Sequence, residues 1–378
     1  MWRSVIANSY KESLMDEQAH KTHRKKRKWI KSVPLLIVEV SLLFLATGIM
    51  YVVLTTTADV EHKDIDEEKI IINEEVVETM QTEMSTVDDN TVKGYRNIAL
   101  FGVDSRDGDL GKGTRSDSII IANINLDTQE IKLISVFRDT FLNLGNDSYN
   151  KCNAAYAQGG PEQAINMLNM NLDLNITDYV TVGFGGLIDA VDAIGGIEME
   201  VNDVEISHLN NYQLSMAKDM GVDYVPIEHS GVQLLNGMQA TAYCRIRYGG
   251  GDDFRRAERQ RDVLTAMMNK AKGASVSELT GMVNAILPEV QTSLGLNDIL
   301  DVLGSAAGYG VVSSDGFPFE DNRTGARVGS KGDCIIPDDL EENVIALHEM
   351  LYPEMDYQPS RQVVSISAEI LTQTNAYR

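Results

Sequence analysis

The sequence contains few cysteines and histidines, residues on which many nucleophilic and zinc-dependent enzymes rely. Its 378 residues include three cysteines, Cys152, Cys244 and Cys334. They lie far apart and are odd in number, so they do not form a disulfide framework, and no zinc-type Cys/His spacing is present. One bridge with one free thiol, three free thiols, or burial as small apolar residues are the alternatives. The P-loop, GxSxG and HExxH motifs are also absent, so no generic motif decides the function.

Positive charge is scarce, and most of it lies at the N-terminus. The formal net charge is −23, which excludes a nucleic-acid-binding protein held by phosphate neutralisation. Residues 1–31 hold nine Lys or Arg against three acids, a net of +6, so the remainder carries −23 − 6 = −29. Such asymmetry between segments is typical of membrane proteins and of proteins with a charged arm.

One apolar run is long enough to cross a bilayer. Val33–Leu54 supplies the roughly 20 residues that a spanning helix needs, interrupted only by Glu39 near its basic end. The basic run Arg24–Lys28 precedes it, and basic flanks stay in the cytoplasm. A cleaved signal peptide and a buried core helix are the alternatives, but the run is long for a signal peptide. We predict a cytoplasmic tail over residues 1–32, a membrane anchor over 33–54, and an extracytoplasmic remainder.

The outer part divides into three regions. Residues 55–93 are acidic and lack proline and, until Gly94, glycine, so we expect a partly disordered linker. Residues 94–355 alternate strand-like and helix-like patterns, which favours one α/β layered domain. Residues 356–378 form a tail, which we expect to be β-rich from about Pro359.

The α/β pattern can be assigned element by element. Apolar β-rich runs predict strands over Asn97–Val103, Tyr179–Val182 and Ile197–Val201, and a hairpin formed by Ser118–Leu126 and Ile131–Val136. Apolar residues at helical spacing predict helices over Pro161–Leu172, Leu187–Ala193, Asn236–Ile246, Phe254–Lys272, Val276–Leu287 and Leu296–Leu303.

Arginines and aspartates cluster at the ends of these elements. The clusters are Gly102–Arg106 after the first strand, Thr114–Ser118 before the hairpin, Ser135–Asp139 at its far end, and Arg245–Arg247 followed by Asp253–Arg261. Polar groups at strand ends of open α/β sheets commonly build sites. On the last helix Arg256 and Gln260 share a face, and Arg259 can reach its flank.

These residue types suit the binding of phosphates. The guanidinium fork donates two parallel hydrogen bonds and stays charged, so several arginines match a substrate with two phosphates. Mg²⁺ takes one or two carboxylates plus phosphate oxygens, and Asp104 and Asp117 are its candidate ligands. None of the six histidines lies in these clusters, which argues against histidine-based hydrolysis. The alternative is that the clusters are surface salt bridges of little value.

Several segments together resemble the LytR-CpsA-Psr family in order and spacing. They are NIALFGVDSRDGD, GTRSDSIIIANIN, IKLISVFRDT, YNKCNAAYAQGGPEQAINMLN, VDAIGGIEMEV and LNGMQATAYCRIRYGGGDDFRRAERQRDVL. The resemblance implies an αβα sandwich around a central mixed sheet, with an apolar pocket for a polyprenyl chain. It implies transfer of a glycopolymer, such as wall teichoic acid or capsular polysaccharide, from undecaprenyl diphosphate to peptidoglycan at the cell membrane.

The resemblance also assigns roles to residues. It implies metal ligation of Mg²⁺, or of Mn²⁺ in its place, by Asp104 and Asp117, and a catalytic role for Arg138, Asp139 and Arg256. It implies a diphosphate-binding set of Arg106, Arg115, Arg138, Lys151, Arg245, Arg247, Arg256, Arg259 and Gln260. Two alternatives to the transferase remain. The first is a hydrolase that uses the same residues to cleave the diphosphate with water, and the second is a non-catalytic membrane sensor.

Overall fold

The computed structural model describes residues 61–62, 65–66, 69–73, 94–103, 110–248, 252–273, 289–294 and 308–377. The basic tail, the predicted anchor and the predicted helices Val276–Leu287 and Leu296–Leu303 lie outside them. Among the described residues no helix combines the length and the apolar character that a membrane span requires.

Thirteen strands and seven α-helices make up the described part of the chain. The strands are β1 (Glu61–His62), β2 (Tyr95–Val103), β3 (Ser116–Asn125), β4 (Glu130–Val136), β5 (Phe141–Asn143), β6 (Tyr149–Lys151), β7 (Asp178–Gly183), β8 (Ile197–Val201), β9 (Gly231–Leu235), β10 (Val290–Thr292), β11 (Gly310–Phe317), β12 (Arg323–Arg327) and β13 (Asp333–Pro337). The helices are α1 (Asn153–Leu172), α2 (Phe184–Ala193), α3 (Asp203–Met220), α4 (Gly237–Arg245), α5 (Asp252–Lys272), α6 (Leu340–Leu351) and α7 (Arg361–Thr374).

A central mixed sheet of seven strands organises the fold. Its order is β1-β10-β7-β2-β3-β4-β11. Strands β2, β3 and β4 are antiparallel neighbours, whereas β7 runs parallel to β2 and β11 runs parallel to β4. The predicted strand at Asn97–Val103 and the predicted hairpin are therefore confirmed, and both lie at the centre of the sheet.

Both faces of this sheet are covered by helices. Alternation along β3 sends Ile119 and Ile121 into one core and Ile120 and Ala122 into the other, because successive side chains of a strand point to opposite faces. The first core contains residues of α1, α6 and α7, and the second contains residues of α2, α3, α4 and α5. The expected layering of helices around a mixed sheet is thus present.

Helix α1 begins earlier than predicted. It starts at Asn153 and contains Gly160 at φ 69° and ψ −156°, a conformation outside the helical region that glycine tolerates. The predicted start, Pro161, opens the second segment after this break. Proline lacks a backbone N–H, and this costs no hydrogen bond at the first position of a helix. The sequence therefore located the second segment and missed the first.

The expectation of a β-rich C-terminal tail is wrong. Arg361–Thr374 forms α7, which packs in the same core as α1. Ser360 caps it by accepting a hydrogen bond from the Val363 N–H at 3.2 Å, and its own hydroxyl donates to buried Asp173 at 2.7 Å. Tyr357 donates to the same carboxylate at 2.6 Å. The carboxylate at the end of α1 thus fixes the start of α7.

Part of the acidic linker is packed rather than disordered. The Ile71 N–H donates to the Asn166 side chain at 2.7 Å, and Asn166 donates back to the Lys69 carbonyl at 2.9 Å. Residues 69–73 are therefore attached to α1 by hydrogen bonds between their backbone and the Asn166 side chain.

Candidate active site

Several elements end at one edge of the central sheet. Strands β2, β4, β7 and β11 all finish there, and β3 begins there, because of their parallel and antiparallel pairing. Three of the four polar clusters in the sequence follow or precede these strands, and the fourth lies at the end of α4 and the start of α5. The topology therefore brings residues distant in sequence to a single edge.

Arg138 lies at the centre of this edge, in the turn after β4. The turn is held by the Thr140 N–H, which donates to the Phe137 carbonyl at 2.8 Å, and by the first N–H of α1, which donates to the Arg138 carbonyl at 3.1 Å. The Arg138 guanidinium contacts three carboxylates: Asp117 at 2.7 Å, Asp139 at 3.7 Å and Asp253 at 3.7 Å. Burial opposes its charge, but these carboxylates outweigh that effect and raise the pKa of Arg138.

Asp253 connects three of the arginines. Its Oδ1 lies 3.0 Å from Arg256, 3.5 Å from Arg247 and 3.7 Å from Arg138. Asp253 was not among the predicted site residues, although an acid three residues before an arginine at the start of a helix could have indicated an ion pair. The structure thus brings Arg138, Arg247 and Arg256 together around the carboxylate of Asp253.

Lys151 extends the cluster on the other side of Arg138. Its ammonium lies 3.0 Å from Asp139, and both side chains are about one-fifth exposed. The pairing of β5 with β6 places Lys151 opposite Phe141, three residues after Arg138. Lys151 and Arg138 therefore share Asp139 as a partner.

Unsatisfied donors remain in this cluster. The Nε atoms of Arg138 and Arg256 are buried and make no hydrogen bond within the described residues. Buried polar groups are normally hydrogen-bonded, so such donors indicate a place for an acceptor such as a phosphate oxygen.

An apolar cavity lies directly beside the charged cluster. Its volume is about 170 Å³, and it lies between the central sheet, α2 and α5. Its apolar walls include Leu100, Ile120, Val180, Val182, Leu187, Ala190, Val263, Leu264 and Met267. Ser118 and Gln260 line both this cavity and the cleft of Arg138 and Arg256. The site is therefore polar at one end and apolar at the other.

A family model, described as the LytR_cpsA_psr family, matches residues 49–325, which is more than half of the chain. The chain belongs to the LytR_cpsA_psr family.

Curated relatives and solved structures agree with this assignment. The chain is 28% identical over 305 residues to the polyisoprenyl-teichoic acid–peptidoglycan teichoic acid transferase TagU of Oceanobacillus iheyensis, covering 78% of this chain and 86% of that protein. It is 31% identical over 223 residues to TagU of Enterococcus faecalis, covering 58% of this chain and 68% of that protein. The structure of TagT with bound octaprenyl pyrophosphate lipid matches with a TM-score of 0.51 at 20% identity, covering 70% of this chain and 91% of that chain, which shows the same fold.

Four further residues belong to the predicted set, and the structure describes two of them. Arg115 is exposed one residue before β3 and two before Asp117. Arg245, at the end of α4, has its guanidinium 5.8 Å from the ring of Tyr212. Asp104 and Arg106 lie outside the described residues, so their predicted roles stay predictions.

Arg259 does not join the cluster. It is 3% exposed, and its Nε donates to Glu205 of α3 at 2.9 Å. The sequence placed it beside the phosphate-binding face of α5 because it lies between Arg256 and Gln260. Its actual partner is 54 residues earlier in the chain, a separation that helical spacing does not reveal.

The cysteines take no part in the chemistry of the site. All three are free and buried. Burial raises the pKa of the Cys152 and Cys244 thiols well above the ordinary range, which keeps them protonated. Of the alternatives left open by the sequence, the structure has three free thiols that pack as small apolar residues.

Proposed function

We propose that this LytR_cpsA_psr protein transfers a glycopolymer from a polyprenyl diphosphate carrier to peptidoglycan and forms a phosphodiester. The curated relatives are named as transferases of polyisoprenyl-linked teichoic acid to peptidoglycan. The related TagT carries an octaprenyl pyrophosphate lipid. A glycopolymer of the wall teichoic acid or capsular type, carried on undecaprenyl diphosphate, is the proposed donor.

The observation that carries this proposal is the junction of the charged cluster with the apolar cavity. Ser118 and Gln260 belong to both. A molecule that fills the two parts at once must carry an anionic head on an apolar chain, which describes a lipid diphosphate. An inorganic phosphate or a free sugar phosphate would leave the cavity unused.

In this proposal the arginines hold the diphosphate and stabilise the charge of the leaving group. Arg138, Arg247 and Arg256 exchange their contacts with Asp253 for contacts with phosphate oxygens. The acceptor hydroxyl attacks the phosphorus on the sugar side, a new P–O bond forms, and the bond to the bridging oxygen breaks. Polyprenyl phosphate leaves with that electron pair, and Asp139, held by Lys151, accepts the hydroxyl proton.

The residues described at the site fit a divalent cation in part. Asp117 uses Oδ1 for Arg138, and its side chain is about one-third exposed, so its other oxygen is available to Mg²⁺ or Mn²⁺. Among the described residues no group of three or more His, Cys, Asp or Glu could hold a metal. Because Mg²⁺ binds through one or two carboxylates plus phosphates, we propose Asp117 and Asp104 as its protein ligands. The ion would supply neutralisation of phosphate charge.

We also propose that the catalytic domain lies outside the cytoplasmic membrane, with the N-terminus inside. The basic run before Val33–Leu54 and the length of this apolar segment support that orientation. Alkylation of single cysteines in intact cells tests it: a reporter at Ser4 should react only after permeabilisation, and one at Asp223 should react without it. The reverse pattern would contradict the proposed topology.

The transfer itself is tested with the full chain in vesicles that contain a polyprenyl-diphosphate-linked saccharide. With peptidoglycan and Mg²⁺ added, we expect covalently linked saccharide and released polyprenyl phosphate. Released saccharide phosphate without linkage would instead identify a diphosphate hydrolase. Binding without turnover would identify a membrane sensor.

A further inference from the structure

The buried Arg259 makes its contacts to the segment that carries two of the proposed phosphate-binding arginines. One guanidinium nitrogen donates to the Ile246 carbonyl at 3.4 Å, and another donates to the Tyr248 hydroxyl at 3.3 Å. Its Cζ also lies 5.3 Å from the centre of the Tyr248 ring. Residues 245–248, which we call the arginine segment, are thereby attached to α5.

Glu205 fixes the orientation of Arg259 from the other side. Its Oε1 accepts the hydrogen bond from Arg259 at 2.9 Å, while its Oε2 accepts one from the Asn202 N–H at 3.1 Å. The second bond is part of the capping box that starts α3. Both carboxylate oxygens are thus engaged, and the pair is almost fully buried, at 3% and 4% side-chain exposure.

The same face of α3 supports the arginine segment at two further points. His208 stacks on the Tyr248 ring with centroids 4.8 Å apart, and Tyr212 lies under the guanidinium of Arg245. Glu205, His208 and Tyr212 follow one another at intervals of three and four residues, which places them on one side of the helix. The arginine segment therefore lies between α3 and α5 and contacts both.

We propose that the Arg259–Glu205 pair is a positioning device that sets Arg245 and Arg247 for the diphosphate. Ile246, between the two arginines, is fully buried, so fixing its carbonyl and the following tyrosine fixes the backbone on both sides of Arg247. Arg259 acts through these residues and does not touch the ligand. This inference rests on the proposed function, because it assumes that Arg245 and Arg247 bind the diphosphate.

The test compares two identical substitutions on the same helix. Arg259→Lys keeps the charge but loses the planar fork that reaches Glu205, Ile246 and Tyr248 together. Arg255→Lys is the matched control, because Arg255 is exposed and pairs with Glu258, three residues later on the same helix, at 2.6 Å. We expect Arg259→Lys to weaken the binding of octaprenyl diphosphate by about tenfold or more, since a misplacement of about 1 Å in a site can cost as much as ~100-fold. Arg255→Lys should bind as the parent does.

A double-mutant cycle separates positioning from general damage. When Arg245 and Arg247 are both replaced by alanine, Arg259→Lys should cause no further loss of octaprenyl diphosphate affinity, because the side chains that Arg259 positions are gone. A full additional loss in that background would overturn the positioning role. If the double alanine variant itself bound octaprenyl diphosphate normally, the proposed function would fail instead.

A milder variant covers the case in which Arg259→Lys does not fold. Tyr248→Phe removes one acceptor of Arg259 and keeps the ring that stacks on His208. We expect Tyr248→Phe to weaken the binding of octaprenyl diphosphate less than Arg259→Lys does. This loss should also disappear when Arg245 and Arg247 are replaced by alanine. Unchanged affinity in Tyr248→Phe, together with unchanged affinity in Glu205→Gln, would overturn the inference.

Discussion

Single residues at the sheet edge show how an acidic protein assembles a cationic site. Arg138 has three carboxylates within 3.7 Å, and Asp253 contacts three arginines. Arginines brought this close would repel one another without such anions. A diphosphate entering the cluster must therefore compete with Asp253 for the same donors.

Arg138→Ala should reduce transfer strongly. Arg138 is the residue that contacts Asp117, Asp139 and Asp253 together, so its loss removes a preorganised donor from the reacting phosphates. By analogy with removal of one oxyanion donor, we expect kcat to fall roughly 100- to 1000-fold, or about 3–4 kcal/mol. Steady-state kinetics with a polyprenyl-diphosphate saccharide measure this, with the exposed Arg327→Ala as control. Unaltered turnover would remove Arg138 from the mechanism.

Asp253→Asn should increase the affinity for inorganic diphosphate. The substitution removes the negative charge that neutralises Arg138, Arg247 and Arg256 but keeps a side chain of similar shape. We expect roughly tenfold tighter binding, equivalent to about 1.4 kcal/mol, with a steeper dependence on salt. Isothermal titration at two salt concentrations measures both, and Asp333→Asn, at an exposed side chain of β13, is the control. Weaker binding in Asp253→Asn would show that the carboxylate supports the ligand instead of competing with it.

His348 should make the fold sensitive to mild acid. Burial lowers its pKa from 6.5 to about 4, against smaller opposing effects from the Leu172 carbonyl and Asp173. The folded state binds the proton of His348 more weakly than the unfolded state does. The contribution of His348 to the free energy of unfolding is therefore complete above pH 6.5 and is lost as the pH falls toward 4. The full loss is about 3 kcal/mol. Urea unfolding of the parent and of His348→Gln between pH 7 and 4 should show a smaller pH dependence in the variant, and equal slopes would contradict this.

At the scale of secondary-structure elements, the sequence predicted correctly those strands in which the hydrophobic pattern and the residue propensities favour the same structure. The central strands are apolar and β-branched, so β2, β3 and β4 were assigned correctly. Helix α7 is rich in valine and isoleucine, which favours strand by propensity, but Val363, Ile366, Ser367 and Ile370 are buried at helical spacing. Tertiary packing on α1 decided its structure. Helix α3 was missed because its exposed face carries apolar residues, among them Val204 and Leu214.

Filling the apolar cavity should separate recognition of the lipid from recognition of the diphosphate. Ala190 on α2 is 4% exposed and lines the cavity, so Ala190→Phe places a ring where the polyprenyl chain is proposed to lie. We expect octaprenyl diphosphate to bind at least about tenfold more weakly, because burial of a few methylene groups at about 0.8 kcal/mol each is lost. Binding of inorganic diphosphate should not change, as measured by titration of both ligands. Leu214→Phe, on the surface of α3, is the control, and equal losses for the two ligands would argue against the assignment of the cavity.

At the scale of the whole molecule, the fold brings together residues that no local sequence pattern connects. The sequence placed Arg138 at the end of a strand, and the family resemblance grouped it with Arg247 and Arg256, which lie near helix ends. Position along a helix could not show that Arg259 faces α3, since its partner Glu205 lies outside any local pattern. Asp253 was overlooked because its importance arises from three arginines that only the fold brings together.

Strand β1 limits how far the catalytic domain can move away from the proposed membrane anchor. It pairs in parallel with β10 at one margin of the central sheet, and its first residue, Glu61, follows the proposed anchor by seven positions. A fully extended chain of that length spans at most about 25 Å. If Val33–Leu54 is embedded in the bilayer, this edge of the sheet stays within that distance of the membrane surface. The enzyme can then reach only the part of the wall nearest to its lipid-linked donor. Attachment of new polymer would then be confined to the innermost, most recently made glycan strands.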